Sequence, residues 1–168
     1  LSSVLNQHIN IVSDKDRALY HELVYGCLRQ WHALKQVTLP LLAKPLENEL
    51  VETCLYLGLY QLLCTRVAAH AAISETVEAT KQLGMESLSG VVNAILRRAT
   101  RESEQFYDVL EQASNLPSWL AKRLRKNWGE ERLAELSYEL KQTAPLTLRV
   151  NTRQVSREEY LDILEDEG

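Results

Sequence analysis

Apolar residues recur at helical spacing along most of this chain. In SDKDRALYHELVYGCLRQWHALK (13–35), Leu19, Leu23, Val24, Cys27, Leu28, Trp31 and Leu34 fall on one stripe, with Glu22 and Arg29 opposite. Ser13 and Asp16 supply a helix start, so the pattern predicts one long amphipathic helix. Pro40 and Pro45 break residues 36–45. ENELVETCLYLGLYQLLCTR (47–66) is apolar around most of its circumference, which predicts the central helix of a bundle. Gly58 lies in its middle, where glycine costs about 1 kcal/mol against alanine, and so marks a close helix crossing. Further helices are predicted over 70–84, with Gly84 just past the end, and over 87–101 and 103–114.

At NLPSWLAKRLRKNWG the character changes. Pro117 opens a helix and Gly129 closes it, and another runs to about Gln142. PLTLRVNT (145–152) alternates Leu146, Leu148 and Val150 with Thr147, Arg149 and Asn151, the one convincing strand pattern in the chain. One strand cannot stand alone, so its sheet partners are expected outside this chain. Ser156 and Glu159 form a capping box for a last helix. The expected fold class is all-α: a helical bundle over 1–115, then over 116–168 a short helical linker and the truncated start, one strand and one helix, of an α/β domain.

Composition changes this picture little. Of 168 residues, 45% are hydrophobic and 25% charged, which supports a packed core and not a disordered chain. No apolar run reaches the roughly 18–20 residues that span a bilayer. No leader pattern is visible, so a cytoplasmic location is expected. The chain begins at Leu1 and not at Met, and reads as a piece of a longer one. Cys27, Cys54 and Cys64 are odd in number and lack CxxC spacing, which argues against a disulfide framework and a zinc site. All three are expected to be small core residues. His8, His21, His32 and His70 are scattered, and no metal site is expected. A Gly-rich phosphate loop, G-x-S-x-G and HExxH are all missing, so no catalytic set is legible.

Charge is more informative than its total of −4. Residues 89–128 hold seven basic and four acidic residues, and the rest of the chain holds 12 and 19. A local basic face on an acidic body is therefore expected. In SGVVNAILRRATR (89–101), Val91, Val92, Ile95 and Leu96 share an arc, Arg97 and Arg101 lie nearly opposite, and Arg98 sits at the edge. In the second basic stretch Trp119, Leu120, Leu124 and Trp128 share an arc, Lys122, Arg125 and Lys126 point away, and Arg123 borders them. No acidic residue occurs from 112 to 129. These cations are candidate phosphate contacts, which fix orientation without reading bases. Arg149 and Asn151, on one face of the predicted strand, are further candidates. The competing reading is a solvated helix face with cations favoured near a helix C-terminus.

DRALYHELVYGCLR, YLGLYQLL, HAAISETVEATK and GVVNAILRR, in this order and near this spacing, resemble the NusB-like domain. That domain exists alone as a transcription antitermination factor and also fused to the front of the Sun/RsmB RNA methyltransferases. PSWLAKRLRKNWG and PLTLRVN are not NusB features. They resemble the region that joins the domain to the catalytic part of those methyltransferases. The resemblance implies a NusB-like bundle and ribosomal RNA as partner. It also implies a parent enzyme that methylates C5 of cytosine in small-subunit ribosomal RNA, with S-adenosylmethionine as donor. The family's two catalytic cysteines stand in Pro-Cys and Thr-Cys contexts, which none of Cys27, Cys54 and Cys64 matches. No catalytic residue or cofactor site carries over, so this chain is expected to bind and orient RNA without methylating it. The C-terminal methyltransferase domain is an implied partner, a membrane is not, and some NusB-like domains form homodimers. The family usually has more of a helix, often with arginines, before LSSVL. Since VNAILRR occurs widely in such domains, its arginines are expected to serve partly as a helix-end device. The alternatives are an antitermination-type factor binding RNA and a ribosomal protein, and a helical protein-interaction module.

Overall fold

The computed structural model describes residues 2–142, 144, 145 and 147–167. Nine α-helices occur among them: α1 (Ser2–His8), α2 (Arg17–Arg29), α3 (Trp31–Thr38), α4 (Glu49–Cys64), α5 (Ala69–Gln82), α6 (Glu86–Arg101), α7 (Ser103–Gln112), α8 (Ser118–Glu139) and α9 (Arg157–Glu167). Short 3₁₀ turns cover Ile9–Ile11, Asp14–Asp16 and Leu39–Leu41. The bundle is all-α, as the residue pattern and the family resemblance imply. None of the helices is long and apolar enough to cross a membrane.

Helix α4 is the axis of the bundle. Asn48 caps it, its side-chain oxygen accepting from the N–H groups of Leu50 and Val51 at 3.0 and 3.1 Å. Val51, Cys54, Leu55, Tyr56, Leu59, Tyr60 and Leu63 are buried around its circumference, because α2, α3, α5, α6 and α7 all pack on it. Its two buried tyrosine hydroxyls find carboxylates: Tyr56 donates to Glu52 at 2.6 Å and Tyr60 donates to Glu22 of α2. Trp31 meets the Tyr56 ring edge-on at 4.7 Å.

Gly58 sits where α4 meets α5 and α6, as its position in the sequence implies. A Cβ there would lie 2.9 Å from both Leu96 methyl carbons and 3.0 Å from Thr76 Cγ2. The facing side of α5 is itself made of small residues, Ala72, Thr76 and Thr80, all buried. Their spacing of four places them in one row. The Thr76 and Thr80 hydroxyls donate to the carbonyls one turn back at 2.7 and 2.8 Å, so the row is polar in composition but satisfied. Helix α5 ends in a Schellman-type turn, with Met85 N–H on Thr80 O at 3.1 Å and Gly84 at φ +77°.

Four expectations need correction. The helix predicted over 13–35 is two helices with a break at Gln30 (φ −99°, ψ 6°). The bend lets α3 pack against both α4 and α7, which leaves Leu19 and Leu28 of the stripe exposed. Val91 is exposed and Ala99 is buried, so the buried arc of α6 is Val92, Ile95, Leu96 and Ala99. Cys27 and Cys54 are buried, but Cys64 is exposed, because it is the last residue of α4. The described residues of the predicted strand 145–152 form no strand, while Leu146 lies outside the described residues. A strand exists only as a rung in a ladder, and no partner strand is found among the described residues.

Helix α8 bends at Gly129 (φ 83°, ψ 174°), a conformation that L side chains rarely adopt, so the predicted stop is a sharp kink joining 118–128 to 130–139. Side chains tie this region back to the bundle. Lys141 Nζ donates to the carbonyls of Leu110 and Glu111 at the end of α7, at 2.7 and 2.8 Å. Gln36 Nε2 donates to Ser114 O at 3.2 Å. Helix α9 starts with the expected capping box: Ser156 N–H donates to Glu159 Oε2 at 2.9 Å, and Glu159 N–H to Ser156 Oγ at 3.2 Å.

Candidate nucleic-acid interface

The arginines at the end of α6 divide by geometry. Burial of Val92, Ile95, Leu96 and Ala99 turns the opposite side outward, and Arg97 and Arg101 are exposed there. They line a groove of about 620 Å³ between α5 and α6, together with His70, Ser74, Lys81 and Asn93. Arg97 Nε donates to Asn93 Oδ1 at 3.1 Å, which aims the guanidinium along the helix. Lys81 is paired with Glu78 at 3.4 Å, so the groove's free positive charge comes from the two arginines. Arg98 points elsewhere. Its Nε donates to both Glu102 oxygens at 3.0 and 3.1 Å, and its Nη1 donates to Pro40 O at 3.1 Å. This ties the end of α6 to the 39–41 turn.

The first half of α8 is the second cationic surface. Ala121 is buried, and Leu120 and Leu124 are half-buried. Lys122, Arg123, Arg125 and Lys126 are all exposed. Trp119 and Trp128, expected on the apolar arc, are instead 65% and 60% exposed. Within residues 118–128 only Ala121 is buried. Arg125 is engaged by Glu130 across the Gly129 kink, with a second hydrogen bond from Nη2 to Oε1 at 3.1 Å. The pairing raises the guanidinium pKa and holds the Glu130 carboxyl below its usual range. Arg125 also borders a groove of about 560 Å³ shared with His32, Lys35 and Gln36 of α3. The α5–α6 groove and the α3–α8 groove share no residue: Arg97 and Arg101 line the first, Arg125 lines the second, and Lys122, Arg123 and Lys126 line neither.

Arg149 and Asn151 are exposed. The Asn151 side-chain oxygen accepts from Arg153 N–H at 3.2 Å, and its carbonyl accepts from Gln154 N–H at 2.9 Å, so Asn151 organises the turn before α9. The shared strand face that grouped the two residues in the sequence is not formed here.

The two buried thiols offer no nucleophile. Burial pushes Cys27 up to about 12 and raises Cys54, so both are protonated at neutral pH. Cys64 is exposed at the end of α4. No cluster of three metal-binding side chains occurs among the described residues. What the arrangement can do is hold an extended anion. Sequence reasoning missed His70, Lys81 and Asn93, which join the arginines only once α5 and α6 pack. The only trace in sequence is the polar row His70, Ser74, Glu78 and Lys81 on α5. It missed the exposure of Trp119 as well, because a periodicity argument puts every tryptophan inside.

Comparison with known proteins gives two family matches. The NusB family covers residues 1–101, and the RsmF/B-like methyltransferase family's ferredoxin-like domain covers 116–168. Proteins named ribosomal RNA small subunit methyltransferase B are similar along the chain. That of Klebsiella pneumoniae is 38% identical over 173 residues, covering 100% of this chain and 40% of that protein. That of Proteus mirabilis is 38% identical over 175 residues, with 100% and 41% covered. That of Shewanella oneidensis is 40% identical over 166 residues, with 95% and 38% covered. The chain spans about 40% of the length of the curated relatives it matches.

Proposed function

The chain belongs to the NusB family, and on that premise we propose that it is the RNA-docking part of an enzyme that methylates small-subunit ribosomal RNA. Residues 1–115 serve as the bundle that presents the RNA face, and 116–168 lead towards the catalytic part. The observation that carries this reading is the combination of the family with an acid-free run from 112 to 129, in which Lys122, Arg123 and Lys126 are exposed. A free antitermination-type factor gives no account of the second matched segment, 116–168. The parent reaction is the transfer of a methyl group from S-adenosylmethionine to C5 of a cytosine. None of Cys27, Cys54 and Cys64 stands in the Pro-Cys context of that family's catalytic part, and we assign the reaction to the part of the relatives that this chain does not span. This chain therefore contributes binding and orientation.

Arg97 and Arg101 in the α5–α6 groove, and Lys122, Arg123 and Lys126 on α8, are the proposed phosphate contacts. Arg125 is held in reserve by Glu130, Arg98 acts mainly as a tie, and Arg149 and Asn151 extend the surface at the turn before α9. The proposed site of action is the cytoplasm.

A titration against a small-subunit ribosomal RNA helix and an unrelated duplex, at several salt concentrations, tests the reading. The triple variant Lys122→Glu, Arg123→Glu, Lys126→Glu should weaken binding and flatten the dependence of log affinity on log salt by about two to three. Unchanged affinity and slope would remove α8 from the interface. Light scattering on the same samples reads whether the chain self-associates.

A further inference from the structure

We propose that Trp119 is a stacking platform for an unpaired RNA base, with Lys122, Arg123 and Lys126 holding the flanking phosphates, so that α8 selects single-stranded or loop RNA over duplex. The proposal rests on the RNA-docking reading above and names the substrate class of that site.

Trp119 is 65% exposed, although an indole is among the side chains that gain most from being covered. At 100° per residue, the packed side of α8 is set by buried Ala121 with half-buried Leu120 and Leu124. Trp119 lies on the opposite side. Lys122, Arg123 and Lys126 stand three, four and seven residues after it, which places them on the same face as Trp119. They follow it by about 4.5, 6 and 10.5 Å along the helix axis. None of the aromatic pairs found among the described residues involves Trp119, so its face is free to take a flat partner. With no acidic residue from 112 to 129, the surroundings select for negative charge beside that partner. A nucleotide supplies both a π-face and a phosphate, and base–aromatic stacking tolerates any sequence.

The interior of a duplex cannot use this site. Its base faces are already stacked on one another, and the deep major groove of A-form RNA is too narrow for a side chain. A strand with splayed bases can use it. Trp128, 60% exposed, lies nine residues on and half a turn away, so it does not extend the platform.

The test is fluorescence anisotropy of a labelled single-stranded ten-residue RNA and of the blunt duplex of the same sequence, each titrated with the full 168-residue chain. The parent chain should prefer the single strand. Trp119→Ala should lose about five- to a hundred-fold on the single strand, with its salt slope unchanged, and lose nothing on the duplex. Trp119→Phe should retain most of the affinity, and Trp128→Ala should retain all of it. Equal loss on both RNAs, or no loss on the single strand, overturns the proposal. A lowered melting temperature in Trp119→Ala also overturns it, because the indole would then be packed against protein. A parent chain that prefers duplex overturns the stacking proposal while the docking reading stands. If the triple charge reversal binds as tightly as the parent, the docking reading fails at α8, independently of Trp119.

Discussion

Replacing Gly58 with alanine opposes two effects whose magnitudes can be compared. Alanine in a helix interior is favoured over glycine by about 1 kcal/mol. Against that, the new methyl would meet both Leu96 methyl carbons at 2.9 Å and Thr76 Cγ2 at 3.0 Å. Leu96 is fully buried and Thr76 nearly so, and neither can swing into solvent. Overpacking of this kind costs about 1–3 kcal/mol. The net expectation is a loss of about 0–2 kcal/mol, or up to roughly 8 °C in melting temperature for a chain of this size. Urea unfolding followed by far-ultraviolet circular dichroism gives the value. A double-mutant cycle identifies the contact. Leu96→Ala alone should cost about 2–5 kcal/mol by leaving a cavity. Combined with Gly58→Ala, the new methyl fills part of that cavity, so the double variant should be more stable than the sum by about 0.5–3 kcal/mol. A Gly58→Ala protein more stable than the parent by the full propensity gain of about 1 kcal/mol would refute the close crossing of α4 with α6, as would strict additivity in the cycle.

Leu59→Asp should leave the protein without helical signal at neutral pH, because Leu59 is fully buried on α4 and a carboxylate there has no partner. Leu62→Asp, at a half-buried site, should be clearly milder, and thermal melts of the two variants compare them. Glu130→Gln should release Arg125, raising RNA affinity and steepening the salt dependence by about 0.7–0.9 if one phosphate contact is gained. An unchanged slope would show that the Arg125–Glu130 pair does not compete with RNA. The Glu159 carboxyl is held below its usual value of 4.5 by the Ser156 N–H. Between its folded and unfolded pKa values the unfolded state binds more protons. The cap therefore contributes fully above about pH 4.5 and is lost as pH falls through the lower folded value. NMR signals of the α9 amides should show this acid fraying in the parent and no such titration in Glu159→Gln.

The chain's own sequence determined the helices and their caps, because those depend on neighbours within a turn or two. Asn48, Gly84 and the Ser156–Glu159 box each act on backbone groups within a few residues. The apolar circumference of 47–66 marked α4 as central, since only a helix contacted from several sides has no polar face. What the sequence could not decide was where a continuous pattern bends and which side of a helix the rest of the bundle covers. The break at Gln30 answers to the packing of α3 on α4 and α7, not to any local signal. The buried row Ala72, Thr76, Thr80 reads as polar until the close approach at Gly58 explains it. The basic residues were visible by type, but their division was not. Arg98 turns to Pro40 and Glu102, Arg125 to Glu130 across a glycine kink, and Arg97 and Arg101 face a groove whose other wall is α5. These are contacts over distance or around a bend, set by tertiary packing. The exposure of Trp119 is the sharpest case: hydrophobicity assigns it to the core, yet in the tertiary structure Ala121, two residues on, is the buried position and Trp119 stands in solvent.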